Sequence, residues 1–81
     1  MDENIIVSDI KKFIEINILA GNIKLDAETI LQNAGIDSFS IIEILLFIQE
    51  RYNILVPDDQ LVPENFKTLA SLARLVNKLS I

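Results

Sequence analysis

Residues 35–52 read GIDSFSIIEILLFIQERY, and this run determines the architecture of the chain. Gly35 and Asp37 belong to a turn, whereas the residues from about Ser38 to Tyr52 have the apolar spacing of a helix. Five apolar positions recur three, one, three and four residues apart, so they share a face that we expect to point into a core: Ile41, Ile44, Leu45, Ile48 and Tyr52. The polar side chain at the junction, Ser38 or Asp37, predicts the N-cap of this helix.

A second apolar set lies on the same predicted helix, rotated around it from the first. It consists of Phe39, Ile42 and Leu46, and Phe47 extends it. Only a narrow polar face remains, made of Glu43, Gln49, Glu50 and Arg51. Such a helix is either buried on most sides or keeps an exposed apolar patch for a partner, and the sequence leaves both possibilities open.

The segment before this helix predicts a first helix from about Asn4 to Ala20, ended by Gly21-Asn22. Its apolar stripe is Ile6, Ile10, Phe13, Ile14 and Ile18. A long connection over residues 22–37 follows, with a short capped turn between Asp26 and Thr29. We expect five apolar side chains to hold this connection on the core: Ile23, Leu25, Ile30, Leu31 and Ile36.

Asn53 ends the central helix, and the chain then predicts an extended stretch up to Pro57 and two short turns, over residues 58–61 and 63–66. Thr68 predicts the N-cap of a last helix over about 69–79. The apolar stripe of that helix is Leu69, Leu72, Ala73, Val76 and Leu79. The predicted fold is all-α: a small four-helix bundle with three main helices, a short helix before the last one and a long loop after the first. We expect one domain over residues 1–81, with four side chains in its core: Ile44, Leu45, Phe66 and Leu72.

The composition excludes several classes of function. Hydrophobic residues make up 51% of the chain and charged residues 23%, which is typical of a globular domain. There is no Cys and no His, so disulfides and thiolate–metal sites are excluded and the commonest general base is absent. We therefore expect no catalytic residue, no metal site and no enzymatic activity of the chain alone. The longest unbroken apolar run, 44–48, is too short to span a bilayer.

The net charge of −5 argues against nucleic acid as a partner, because binding to phosphates requires Lys and Arg. The acidic charge is concentrated in residues 26–59, which carry seven acids and one base and include Ser38. A field of one sign favours encounter with a basic partner, although solubility alone would also explain it. The N-terminal residues 1–4 are acidic and lack the basic region of a signal peptide, so we expect a cytoplasmic protein.

Three interpretations of Ser38 compete. The first is helix capping, which local sequence alone favours. The second is a catalytic nucleophile, which would need a base that a chain without His and Cys does not supply. The third is modification, because a helix N-terminus has unsatisfied N–H groups and a positive dipole end that favour an attached phosphodiester.

The sequence Gly35-Ile36-Asp37-Ser38 followed by an apolar residue resembles the attachment motif of acyl carrier proteins. The resemblance extends from Thr29 to the C-terminus. Residues 50–54 with 57–58 are similar to the family's exit from its second helix, and residues 65–69 are similar to the start of its last helix. The four-residue motif is common by itself, but the motif at its distance from Phe66 and Thr68 is specific.

This resemblance implies that Ser38 carries a 4′-phosphopantetheine arm, taken from coenzyme A by a phosphopantetheinyl transferase that supplies the base and the Mg²⁺. It also implies that Asp37 orients the transferase or helps to hold its metal. Four residues fall where the family's second helix meets its partner enzymes: Phe39, Ile42, Glu43 and Leu46. The implied partners are an acyl- or aminoacyl-loading ligase and downstream synthase enzymes.

The chain departs from the family pattern in two ways. Phe39 stands where Leu usually follows the serine, and Ser40 and Gln49 occupy positions that are often acidic in fatty-acid carriers. These departures favour a dedicated carrier of aminoacyl or specialised acyl groups, as in nonribosomal peptide or polyketide pathways. We expect it to be freestanding and monomeric. The alternative is an unmodified helical adaptor that binds partners through Phe39, Ile42 and Leu46.

Overall fold

The computed structural model describes residues 2–19 and 24–80, and the elements in these ranges are helical, without a β-strand. The three α-helices are α1 (Glu3–Asn17), α2 (Ser38–Tyr52) and α3 (Leu69–Leu79). Three short 3₁₀ helices connect them: Leu31–Ala34, Asp58–Gln60 and Pro63–Phe66. The predicted all-α architecture is confirmed, and the predicted bounds of the second and last helices agree with the structure.

Helix α1 is capped by Asp2, whose carboxylate accepts a hydrogen bond from the Asn4 amide at 2.8 Å. Every fourth residue of the helix is buried, in the order Ile6, Ile10 and Ile14. The predicted stripe members Phe13 and Ile18 are only partly buried, although both pack against the core.

The prediction that the first helix continues to Ala20 was wrong. The amides of Ile18 and Leu19 both donate to the Ile14 carbonyl, at 3.0 and 2.9 Å. This closes the last turn at Asn17, before any residue that the sequence marks as a stop. The predicted stop, Gly21-Asn22, lies outside the described residues.

Three hydrogen bonds hold the long connection after α1 on the rest of the fold. The Leu25 amide donates to the Glu15 carboxylate at 2.7 Å, the Ala70 amide to the Ala27 carbonyl at 2.9 Å, and the Leu31 amide to the Lys67 carbonyl at 2.9 Å. These bonds tie the connection to α1 and to the start of α3. They fix the path of the chain into α2.

Side chains within this connection only partly follow the prediction. Leu25, Leu31 and Ile36 are buried as expected. Ile30 is exposed, because the chain turns into the 3₁₀ helix Leu31–Ala34 and leaves it on the rim of a groove. Ile23 lies outside the described residues. The predicted turn forms, since the Thr29 amide donates to the Asp26 carbonyl at 3.2 Å and the Thr29 hydroxyl accepts from the Asp26 amide at 3.1 Å.

Helix α2 buries Ile44 and Ile48 completely, and Ile41 and Tyr52 pack partly buried against the core. The prediction that Leu45 is buried was wrong, since it is only half-buried. Helix α1 packs against both other helices, and more extensively against α3 than against α2. Leu45 is rotated about 100° around the helix from Ile44, so it lies at the edge of the face that Ile44 and Ile48 bury.

Two contacts join α1 to α2 along their antiparallel length. The rings of Phe13 and Phe47 stack with centroids 4.3 Å apart. Phe47 therefore packs against the core and does not extend the second apolar set of α2, as the sequence had suggested. Asp9 accepts hydrogen bonds from the Tyr52 hydroxyl at 3.0 Å and from the Arg51 guanidinium at 3.2 Å. Burial, followed by this hydrogen bond, raises the pKa of the Tyr52 phenol. Asn53 then ends the helix in left-handed conformation, with φ of 54°.

Helix α3 begins with a capping box. The Ser71 amide donates to the Thr68 hydroxyl and the Thr68 amide donates to the Ser71 hydroxyl, each at 3.0 Å. Seven of its eleven residues are buried, so this helix forms the centre of the core: Leu69, Ala70, Ser71, Leu72, Ala73, Leu75 and Val76. Phe66, which we expected to be buried, is half-buried, because its ring also lines the groove beside Ser38.

Candidate functional site

Ser38 is the first residue of α2, and its side chain is exposed. The sequence left the N-cap of this helix open between Ser38 and Asp37, and the Ser38 hydroxyl does not take that role. Asp37 is the N-cap, and its carboxylate accepts a hydrogen bond from the Ser40 amide at 2.9 Å. Within residues 2–19 and 24–80, no group is hydrogen-bonded to the Ser38 hydroxyl, so this hydroxyl is free to react.

The carboxylate of Asp37 is held beside Ser38 by its capping role. Hydrogen bonds from the amide and then the hydroxyl of Ser40 lower the pKa of Asp37 below its ordinary value of 3.8. The group is therefore ionised near neutral pH. Its exposure leaves the remaining carboxylate lone pairs open to a partner.

The chain that leads into Ser38 is set by a short hydrogen-bonded loop. Gly35 has a φ of 94°, a left-handed conformation that glycine adopts without strain. The next amide, that of Ile36, donates to the Leu31 carbonyl at 3.1 Å, and the Ile36 side chain is buried. Ser38 therefore lies two residues from an anchored position, which fixes where its hydroxyl enters solvent.

An open groove of about 800 Å³ lies next to Ser38. Its walls come from the 3₁₀ helix Leu31–Ala34, the first turns of α2, and the segment 63–67. Most of its lining is apolar: Ile30, Leu31, Ile36, Ile41, Pro63 and Phe66. The charged side chains along it are Asp37, Glu64 and Lys67. An extended, partly apolar chain attached to the serine can lie in such a groove.

The second apolar set of α2 faces solvent. Phe39 is 71% exposed, Ile42 54% and Leu46 59%, and their spacing of three and four residues places them on one side of the helix. We call these three residues the α2 patch. Glu43 borders it, so the structure brings all four predicted partner-binding residues together on the helix that starts with Ser38.

The patch continues into a second groove, of about 640 Å³, between α1 and α2. Leu46 and Glu43 line it together with Phe13, Phe47, Glu50 and Arg51. The described part of the chain contains no cluster of three or more potential metal ligands. None of its helices has the length and apolar content needed to cross a membrane.

The sequence did not point to Ile30, Glu64 or Lys67 as residues near Ser38. They come close because the Leu31 amide pairs with the Lys67 carbonyl across 36 residues of chain. A single backbone hydrogen bond of this kind leaves no mark in the side-chain pattern. In the sequence, only the closeness of Leu31 to residues 35–38 hinted that its partners lie near Ser38.

The chain is similar to known carrier proteins over nearly its whole length. The family model described as a phosphopantetheine attachment site matches residues 7–76. Among curated relatives, aminoacyl carrier protein 1 from Bradyrhizobium diazoefficiens is 27% identical over 73 residues, which cover 90% of this chain and 79% of that protein. Aminoacyl carrier protein 2 from the same organism is 20% identical over 74 residues, covering 91% and 81%.

Two solved structures share the fold. One is the crystal structure of Bradyrhizobium japonicum glycine:[carrier protein] ligase complexed with its cognate carrier protein and an analogue of glycyl adenylate. A chain in it is matched with a TM-score of 0.77 and 24% identity, over 94% of this chain and 96% of that one. The other is the complex of that ligase with glycylated carrier protein, with a TM-score of 0.74, 23% identity and coverages of 90% and 96%.

The family match covers most of the chain and includes Ser38 and its flanking elements. Members of this family carry cargo on a prosthetic arm and are not catalysts themselves. The exposed serine hydroxyl beside an open groove fits the covalent attachment of such an arm. The chain belongs to the acyl and aminoacyl carrier protein family, whose members hold a covalently attached 4′-phosphopantetheine.

Proposed function

We propose that Ser38 is the residue that holds the phosphopantetheine arm, and that the chain carries aminoacyl groups as thioesters on it. The observation that carries the proposal is the Ser38 hydroxyl, which is exposed at the start of α2 and not used as the helix cap. The positive end of a 15-residue helix stabilises the negative charge of a phosphodiester at this position. The arm supplies the thiol that the chain, without Cys, lacks.

Attachment forms one bond to the chain and breaks one in coenzyme A. The Ser38 oxygen bonds to the phosphorus next to the pantetheine, the pyrophosphate P–O bond breaks, and adenosine 3′,5′-bisphosphate leaves. The hydroxyl proton must go to a base of the transferase, because this chain has no His or Cys. The chain's own contribution is to hold the hydroxyl in solvent, which Gly35 and the buried Ile36 do.

Asp37 has a second proposed role beside capping. Its ionised carboxylate is fixed next to the serine by the Ser40 amide, at 2.9 Å. A carboxylate is a ligand that Mg²⁺ favours, and a fixed negative charge orients a basic partner. Asp37 therefore contributes to docking of the transferase or to holding its metal.

The aminoacyl cargo is supported by the similar proteins. The two curated relatives are named aminoacyl carrier proteins, and the fold is shared with chains in complexes of a glycine:[carrier protein] ligase. An aminoacyl-loading ligase and downstream synthase enzymes of a specialised pathway are thus the proposed partners. The replacement of acids by Ser40 and Gln49 supports the same assignment over a fatty-acid carrier. A single carrier domain over 1–81, a monomeric state and a cytoplasmic location stay predictions.

Partner enzymes are proposed to dock on the α2 patch. Exposed apolar side chains that cluster on one face mark interaction sites, and buried anchors contribute most of the binding energy. Phe39, Ile42 and Leu46 are the anchors in this arrangement, and Glu43 supplies charge at the rim. An unmodified adaptor would use the same patch, so only the modification separates these two functions.

Intact mass after incubation with coenzyme A and a broad-specificity phosphopantetheinyl transferase tests the proposal. The parent should gain one phosphopantetheine, Ser38→Ala should gain none, and Ser40→Ala, altered two residues away, should gain one. Because Ser38 is not the cap, Ser38→Ala should unfold at the same urea concentration as the parent. A mass gain in Ser38→Ala would place the attachment elsewhere, and no gain in the parent would favour the adaptor.

A further inference from the structure

The groove beside Ser38 has an uneven distribution of charge. Asp37 and Glu64 are the acids along it, and Lys67 is the cation. Within the described ranges, neither Lys67 nor Glu64 forms an ion pair, and the Asp37 carboxylate is engaged with the Ser40 amide. The Lys67 ammonium is exposed. It is therefore available to an anion that enters the groove.

The backbone places Lys67 close to Ser38. The Lys67 carbonyl accepts from the Leu31 amide at 2.9 Å, and the Leu31 carbonyl accepts from the Ile36 amide at 3.1 Å. Ser38 is two residues beyond Ile36, a path of at most about 7 Å. Ser38 and Lys67 both line the groove, and the flexible four-carbon stem of Lys67 lets its ammonium sample positions within it.

Attachment of the arm adds a negative charge at this position. The phosphodiester would lie near two carboxylates, those of Asp37 and Glu64, and like charges at short range destabilise each other. The N-terminus of α2 offsets part of this repulsion. Lysine binds phosphate oxygens as a point charge, and Lys67 is the groove residue with that charge.

We propose that Lys67 is a positioning residue that binds the phosphodiester of the arm on Ser38 and so keeps the first part of the arm in the groove. The inference rests on the proposed function, because it requires the arm on Ser38. The arm would then run from Ser38 towards the segment 63–67, which lines the groove, and away from the α2 patch, which does not. The patch then stays free for a partner while the arm is at rest.

Amide chemical shifts of the ¹⁵N-labelled apo and holo proteins test the inference without any loading enzyme. In the parent, attachment should shift the amides of Ile30 and Phe66, on opposite walls of the groove. In Lys67→Gln these shifts should be lost. Lys67→Arg should retain them, since it keeps the charge. Lys12→Gln is the matched control: it removes an exposed cation on α1 that does not line the groove, and the shifts should persist.

Salt gives a second readout. The Debye length falls from about 30 Å at 0.01 M to about 3 Å at 1 M, so high salt should reduce the parent's shifts towards those of Lys67→Gln. The ³¹P resonance of the phosphodiester should move with salt in the parent and stay constant in Lys67→Gln. Apo spectra of each variant check the fold, which we expect to be kept because the substitution leaves the Lys67 backbone carbonyl that accepts from the Leu31 amide.

Several results would overturn the inference. If Lys67→Gln shows the parent's shifts, the lysine does not hold the arm. If the parent shows no shift at Ile30 and Phe66, the arm lies elsewhere. Both outcomes leave the proposed function intact, because the mass gain at Ser38 is measured on the same samples. If Ser38 gains no mass, the proposed function and this inference fail together.

Discussion

Two residues of α2 that are similar in size should differ widely in how much free energy of unfolding is lost when each is replaced by Ala. Ile44 is fully buried, whereas Leu46, two positions further on, is 59% exposed. Replacing a buried Ile by Ala costs about 2–5 kcal/mol, from lost transfer free energy and the cavity that remains. Because Ile44 is completely enclosed by the core of α1, α2 and α3, we expect Ile44→Ala at the upper half of that range.

This loss is large relative to the stability of the whole domain. At about 0.05–0.15 kcal/mol per residue, 81 residues give a free energy of unfolding of roughly 4–12 kcal/mol. Ile44→Ala should therefore remove roughly 30% or more of this free energy and lower Tm by roughly 4–8 °C per kcal/mol. Leu46→Ala should change the free energy of unfolding by less than about 0.5 kcal/mol, as is usual for surface sites.

Urea denaturation followed by circular dichroism measures both variants, with midpoints and slopes compared under one set of conditions. Leu45→Ala, at a half-buried position, should fall between the two. Equal losses at Ile44 and Leu46 would refute the orientation of α2 described above. A loss below about 0.5 kcal/mol at Ile44 would also refute this orientation, because truncating a fully buried isoleucine to Ala costs about 2–5 kcal/mol.

The remaining predictions concern loading, pH and the serine loop. Glu43→Lys should slow loading by a cognate ligase, and raised salt should shrink its difference from the parent, because rim charges act through screened attraction. Leu46→Ala should weaken loading to an extent that salt hardly changes, because it removes a buried apolar contact. A steep salt dependence in the parent, with normal loading of Leu46→Ala, would show that charge contributes more to docking than the apolar contact. The lowered pKa of Asp37 means that its contribution to stability is complete above the unfolded value and is lost as pH falls through the folded one. The urea midpoint of Asp37→Asn should therefore lie below that of the parent at pH 7 and approach it towards pH 2. Gly35→Ala should cost roughly 1–2 kcal/mol from backbone strain alone, since an added Cβ would meet no atom within 4 Å, and Gly35→Asn should cost less.

The sequence predicted α2 and α3 well because their ends carry local marks. The Thr68 side chain caps the start of α3, and Asn53 ends α2 because asparagine tolerates the left-handed conformation. The end of α1 has no such mark, because the amides of Ile18 and Leu19 close it on the carbonyl of Ile14 and neither residue is a usual helix stop. The one-residue uncertainty over the cap of α2 is of the same kind, since Asp37 and Ser38 both suit the role.

Tertiary placement was harder to predict, because periodicity gives the direction of a stripe and not the extent of the neighbour that covers it. Leu45 has the spacing of a core residue and lies at the edge of the face of α2 that Ile44 and Ile48 bury. Phe47 has the spacing of a surface residue and is stacked on Phe13 of α1. The sequence left open whether the second apolar set of α2 is buried or exposed. It is exposed, as the α2 patch, because the buried face of α2 lies on another side of the helix.

Helix α2 can keep an exposed apolar surface because the other two helices supply most of the buried core. Most residues of α3 are buried, and this helix packs mainly against α1, so these two carry much of the core. Helix α2 adds only two fully buried side chains, Ile44 and Ile48, with the stacked ring of Phe47 beside them. Its outer side therefore contributes little to stability, and substitutions there are nearly free of folding cost. Ser38 begins the same helix, so a partner that docks on the α2 patch as proposed would meet the proposed attachment residue on the same rigid element. Substitutions on the α2 patch would then alter partner binding while the core that holds Ser38 in place stays the same.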